Sequence, residues 1–151
     1  MIDVGDKIPE FSLLDDQDNV VTNHDFDGRK YVLYFYPKDL TPGCTNEAVC
    51  FDEMLDGFRA EGYEIYGINK DTPELHRQFK EKYHLRFTLL SDIEGTFIEK
   101  MGMWQEKKNF GKTYYGVARS TFVVNEDGVV ERVYHKVKPV EHAQDVLRDI
   151  T

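Results

Sequence analysis

A chain of 151 residues with 40% hydrophobic and 31% charged side chains has the size and mix of one folded domain burying about 70% of its unfolded surface, which excludes a disordered or fibrous protein. With 28 Asp and Glu against 19 Lys and Arg, the net charge of −9 argues against nucleic acid and anionic membrane as partners and leaves a neutral small substrate open. Two cysteines make no disulfide scaffold, no run approaches the ~18 apolar residues of a membrane span, and Met1–Asp6 carries no basic or apolar leader. The expectation is therefore a cytoplasmic protein folded as a single domain over residues 1–151.

In chain order, Gly5–Asp15 holds a short strand after Pro9, Asp15–Asn19 supplies a turn, and Val20–Thr22 a second strand, which predicts an N-terminal hairpin. Asp25–Gly28 leads into the apolar, aromatic run Tyr31–Tyr36, a buried strand over residues 30–36 that Pro37 ends. A loop with Pro42 and Gly43 gives way almost at once to an amphipathic pattern. At 100° per residue, Ala48, Phe51, Leu55 and Phe58 fall within roughly an 80° arc, and Cys44 projects into it. Cys44 thus stands in the first turn of a helix and points inward. Unpaired N–H groups and the positive dipole end favour a thiolate over a thiol at such a position. The competing reading is a small buried hydrophobe, since free Cys is among the most buried residue types.

Glu61-Gly62 closes this helix, and Tyr63–Asn69 reads as a second core strand. Asp71-Thr72-Pro73-Glu74 starts a helix running to about His84, with Asp71 or Thr72 as cap. Phe87–Asp92 predicts a short strand, followed by a helix from about Gly95 to Met101. Met103–Gly116 is polar and Lys-rich and reads as a long loop. Its Gly111-Lys112-Thr113 is no phosphate loop, because Glu106 stands where that motif needs glycine. Val117–Val124 reads as a strand, Asn125–Gly128 as a hairpin turn and Val129–Tyr134 as its partner. Pro139 opens a terminal helix with Val140, Ala143, Val146, Leu147 and Ile150 on one face. Strands alternating with helices, then a hairpin and a last helix, give the α/β class, a central mixed sheet flanked by helices. His24, His76, His84, His135 and His142 are scattered without metal-ligand spacing. They read as surface or structural, and no metal or other cofactor is expected.

Pro37, Thr41 and Cys44 form a Pro-x-x-x-Thr-x-x-Cys pattern that resembles the active-site motif of the peroxiredoxins. The longer stretch Tyr36-Pro37-Lys38-Asp39-Leu40-Thr41-Pro42-Gly43-Cys44-Thr45 is similar to the branch named after bacterioferritin comigratory protein, also called PrxQ. The resemblance covers nearly the whole chain. It implies a thioredoxin-like fold and a thiol-dependent peroxidase, with a peroxide as substrate and thioredoxin or a similar dithiol as reductant, working as a monomer or weak homodimer. It also implies that Cys44 attacks the peroxide and becomes a sulfenic acid. Donors to the charge on the oxygens are then the Thr41 hydroxyl, the N–H groups around Gly43 and Cys44, and the guanidinium of Arg119. Pro37 shields the pocket, and Glu47 either orients Arg119 or complements the helix dipole. A redox-sensing or protein-binding module on the same fold is the reading from another class; retention of Thr41 and Arg119 favours turnover. A thioredoxin-type oxidoreductase is disfavoured, since Glu47 stands where Cys-x-x-Cys needs its second cysteine.

The second cysteine departs from the family pattern. In the branch that resolves on the same helix it follows the first by five residues; here that position is Val49 and the cysteine is Cys50. By angle Cys50 lies about 120° from Cys44, near Asn46, Glu53 and Gly57 on the polar side. Six helical residues rise about 9 Å, whereas a disulfide wants Cα atoms within about 7 Å, so an intact helix cannot join the two. Cys50 either resolves the sulfenic acid after the first turns unwind, or is a bystander to a one-Cys mechanism with an external thiol.

Overall fold

A continuous apolar run such as Tyr31–Tyr36 needs cover on both faces, and the chain provides it by laying the run in the middle of a sheet. The computed structural model describes residues 1–135 and 137–151. In chain order it runs β1 (Ser12–Asp15), β2 (Val20–Thr22), a 3₁₀ turn (Asn23–Phe26), β3 (Lys30–Phe35), α1 (Pro42–Ala60), β4 (Tyr63–Asn69), α2 (Pro73–Tyr83) and β5 (Thr88–Ser91). There follow α3 (Thr96–Lys100), β6 (Trp104–Asn109), β7 (Lys112–Val117), β8 (Ser120–Val124), β9 (Val130–Tyr134) and α4 (His142–Ile150).

One seven-stranded mixed sheet has the order β2-β1-β5-β4-β3-β8-β9. The pairs β3–β4 and β4–β5 are parallel, and the other pairings in it are antiparallel. Tyr31, Leu33 and Phe35 face a cluster with Phe11, Phe26, Phe97 and Ile98, which α3 and the N-terminal segment supply. Val32, Tyr34 and Tyr36 face Phe51, Leu55 and Phe58 of α1, Phe79 of α2 and Val146 of α4. Each fully buried Phe or Leu here stabilises the fold by about 2 kcal/mol relative to exposure. Gly67 pairs directly with Tyr34, and a Cβ on it would lie 2.9 Å from the Tyr34 ring and from Leu89. The glycine thus makes room for Tyr34 to stack on Phe51 (centroids 4.6 Å apart, planes 19°), which seats α1 on the sheet.

The expected class and element order hold, with four differences. Residues 104–117 are not a loop but an antiparallel ribbon, β6 paired with β7 from Trp104↔Val117 to Asn109↔Lys112. The strand pattern is hidden because the ribbon stands outside the main sheet and is polar at both parities. Its two turn residues are Phe110 (φ 51) and Gly111 (φ 76), both left-handed as a type I′ turn demands, with phenylalanine where Asn or Asp is the usual cue. Second, the strand read over Val117–Val124 is broken at Ala118-Arg119. The Ala118 N–H donates to the Met103 carbonyl and the Arg119 carbonyl accepts from the Val137 N–H, so both leave the ladder. Third, the terminal helix starts at His142 rather than Pro139, because Glu141 is left-handed at φ 70. Val140 is accordingly 60% exposed and does not join the apolar face. Fourth, the side of α1 that bears Cys50 and Gly57, read as polar, packs against α4. A Cβ on Gly57 would lie 2.8 Å from Leu147, and Cys50 packs against the cluster that contains Ala143 and Val146.

Candidate active site

Pro37 ends β3, and the chain reaches α1 through a loop in which Leu40 is left-handed (φ 63). Thr41 is the N-cap, in extended conformation, with Pro42 at the first helical position. Proline has no N–H to orphan there. The first helical bond runs from the Thr45 N–H to the Thr41 carbonyl (2.8 Å), so the N–H groups of Gly43 and Cys44 fall in the turn that has no partners along the helix.

Cys44 is 1% exposed. The Arg119 Nη2 donates to its Sγ (3.2 Å), and Nη1 donates to Glu47 Oε1 (2.7 Å). The break before β8 is what frees Arg119 to reach across to α1. Glu47 is fully buried one turn beyond Cys44, which decides between its two sequence readings: it grips the arginine. Burial pushes the Glu47 carboxyl up to about 7, with Arg119 pulling the other way. Its Oε2 has no hydrogen-bond partner among the described residues.

The Thr41 hydroxyl donates to the Lys38 carbonyl (2.8 Å). In this arrangement the hydroxyl proton is engaged and its lone pairs are left free. Pro37 stands at the rim of the loop, half-buried. Cys50 is a free thiol, as is Cys44. Burial pushes the Cys50 thiol up, a backbone hydrogen bond from Glu141 opposes this, and Glu53 and Glu47 add to it. With α1 helical throughout Pro42–Ala60, the two sulfurs are held apart.

Lys107 was hidden by reading 103–116 as a loop. Alternation along β6 sets it on the face opposite that of Trp104. Burial and the Arg119 charge hold its ammonium below the ordinary lysine value, while Cys44 raises it. Among the described residues no His, Cys, Asp and Glu side chains converge as a metal site. A cleft of about 490 Å³ between Arg29, Tyr31, Arg59 and Tyr66 lies at the other end of β3 from Cys44 and has no cysteine in its lining. A small, buried sulfur with a cation and fixed N–H donors around it suits a small polarisable substrate that accepts charge on oxygen.

The Glu47 carboxyl has a testable cost. Its proton affinity rises on folding, so from pH 4.5 to about 7 the folded chain holds the extra proton and its stability falls as pH rises. Glu47→Gln removes that titration. The stability of the variant minus that of the wild type should grow by about 3 kcal/mol between acid and mildly alkaline pH, read from denaturant midpoints. His142, pushed down to about 4 by burial, tilts stability the opposite way below its unfolded value but is common to both proteins and cancels. A difference that stays flat with pH refutes the raised carboxyl.

Comparison with known proteins follows the same lines. A family profile described as the AhpC/TSA family matches residues 4–133. The chain is 44% identical to a putative peroxiredoxin bcp of Coxiella burnetii, over 97% of each. It is 41% identical to peroxiredoxin Bcp of Bacillus subtilis, over 99% of this chain and 95% of the relative. Among solved structures, the bacterioferritin comigratory protein of Xanthomonas campestris, described for its alkyl peroxide reduction activity, superposes with a TM-score of 0.87 at 34% identity, over 93% of this chain and 89% of that one. A cysteine-to-serine form of Xylella fastidiosa PrxQ superposes with a TM-score of 0.93 at 27% identity, over 99% and 96%.

Proposed function

The chain belongs to the AhpC/TSA family and is a thiol-dependent peroxidase of the Bcp/PrxQ kind with a thioredoxin-like fold; from that premise we propose that Cys44 is its peroxidatic cysteine, acting on hydrogen peroxide and organic hydroperoxides. The observation that carries this reading is the Arg119 guanidinium, bonded at once to Cys44 Sγ and to Glu47. The thiolate attacks one peroxide oxygen and the O–O bond breaks. Hydroxide or alkoxide takes up a proton and leaves, and the sulfur is oxidised to a sulfenic acid. Arg119 and the Gly43 and Cys44 N–H groups receive the developing charge, Thr41 accepts the hydrogen bond that orients the substrate, and Pro37 walls the loop side.

Cys50 then resolves. Its thiol attacks the sulfenic sulfur, a Cys44–Cys50 disulfide forms, water leaves, and thioredoxin or a similar dithiol reduces the bond. The first turns of α1 have to unwind for this, since about 9 Å of helical rise separates residues six apart. Unwinding also lifts Cys50 from the half-buried seat that pushes its thiol pKa up. The intact α1 over a half-buried Cys50 favours one rival, a one-Cys enzyme resolved by an external thiol. The reading includes a cytoplasmic setting, where dithiol reductants keep cysteines reduced, and a monomer or weak homodimer without nucleic acid or membrane partners.

Cys50→Ser separates the rivals. Under the resolving reading, sulfenate formation keeps its rate, while the variant accumulates sulfinic acid on Cys44 as peroxide rises. Wild-type protein forms an intramolecular disulfide with loss of helical circular dichroism. If mass spectrometry instead finds wild-type Cys44 oxidised beside a free Cys50, and the variant turns over normally, the one-Cys mechanism is right.

A further inference from the structure

The loop from Pro37 to Thr41 belongs to no strand or helix, yet it decides where Thr41 and the first turn of α1 stand. Beneath it lies a closed polar cluster that the peroxide chemistry does not use. Its hub is Asp39. The Tyr36 hydroxyl donates to Asp39 Oδ1 (2.5 Å), and Asn69 Nδ2 donates to the same oxygen (3.2 Å). Asp39 Oδ2 lies 2.5 Å from His76 Nδ1. The Asp39 N–H donates to Asp71 Oδ2 (2.8 Å), which also accepts from Asn69 Nδ2 (2.9 Å).

His76 Nε2 lies 3.1 Å from the Leu90 carbonyl, which only accepts, so Nε2 carries a proton. The other ring nitrogen faces a carboxylate. One further proton is therefore held between Asp39 and His76, as imidazolium with carboxylate or as imidazole with carboxylic acid. Both side chains are wholly buried. The members of the cluster stand on separate elements: Tyr36 follows β3, Asn69 ends β4, Asp71 follows β4, and His76 is on α2. Leu40, next to the hub, is left-handed at φ 63, a conformation a leucine keeps only where its surroundings impose it.

We propose that Asp39 and His76 are positioning residues, a polar pin that fastens the 37–41 loop to the ends of β3 and β4 and to α2. The pin holds Thr41 and the Gly43 and Cys44 N–H groups in the arrangement that receives a peroxide. Its catalytic consequence rests on the peroxidase reading; the fastening itself does not.

Three variants test the pin. Asp39→Ala removes the hub. Asp39→Asn keeps its shape, since the amide oxygen accepts from Tyr36 and Asn69 and the amide nitrogen donates to a neutral His76. Tyr36→Phe takes away one bond and leaves the packing. In hydrogen exchange read by mass spectrometry, peptides over residues 38–46 should open about tenfold or more faster in Asp39→Ala and about fivefold faster in Tyr36→Phe. Asp39→Asn should stay near wild type, and the amides of β3 and β8 should be unchanged throughout. The second-order rate with hydrogen peroxide should fall in the same order. No local opening in Tyr36→Phe, opening that extends equally to β3 and β8, or local opening with an unchanged peroxide rate overturns the proposal. Tyr36→Phe decides alone if Asp39→Ala does not fold. A wild type that consumes no peroxide defeats the peroxidase reading, and the exchange pattern still judges the pin.

Discussion

Cys44→Ser protein is expected to consume hydrogen peroxide no faster than the uncatalysed background while folding as the wild type does. A serine hydroxyl is far less acidic than a thiol and offers no polarisable anion to the O–O bond, so the whole covalent route is lost. The fold has little reason to change. Cys44 sits at 1% exposure within the α1 side of the core, where a buried hydroxyl costs about 1–3 kcal/mol, which a folded domain tolerates. Arg119 Nη2 keeps an acceptor within reach of its present 3.2 Å bond. Peroxide loss in a dithiol-regenerating assay, beside circular dichroism and thermal unfolding, checks both halves. Retention of most activity in a folded variant ends the assignment of Cys44.

Arg119→Met should slow the peroxide step by about 100-fold, the usual loss for one charged donor aimed at a reacting centre. It also removes the donor bonded to the sulfur. A second consequence follows from Glu47, which is left buried with no counterion for its 2.7 Å contact. An orphaned buried charge of this kind costs roughly 3–5 kcal/mol where it is ionised. The double variant Arg119→Met with Glu47→Gln should regain most of that stability and none of the rate. Stopped-flow oxidation and denaturant unfolding read the two effects apart. An unchanged rate places Arg119 outside the chemistry.

The sequence makes legible what is local. Pro37, Thr41 and Cys44 lie within eight positions, and the inward turn of Cys44 follows from the spacing of Ala48, Phe51, Leu55 and Phe58. Arg119 is 75 residues from Cys44 and is reached only through the family resemblance; no periodicity brings it to α1. The pairing of Asp39 with His76 spans 37 residues, and nothing beside either residue points to the other. For Glu47 the sequence left open whether it orients Arg119 or is an ordinary first-turn carboxylate, because burial is a property of what packs over a helix. The same reason hid the α4-covered face of α1: Cys50 and Gly57 are small and sparse enough to read as solvent-facing until Leu147 fills the space. The β6–β7 ribbon escaped because its residues are polar at both parities, so no apolar alternation marks it, and it pairs only with itself outside the main sheet.

That ribbon also carries the chain's only tryptophan. Trp104 is 36% exposed, with the Lys70 ammonium 4.5 Å above its ring, on the face of β6 opposite that of Lys107. Indole emission from this protein therefore comes from one place on the ribbon and not from the sheet interior. The fluorescence of the unlabelled chain is a local optical gauge of how the ribbon sits against the end of β4, separate from any signal of the core.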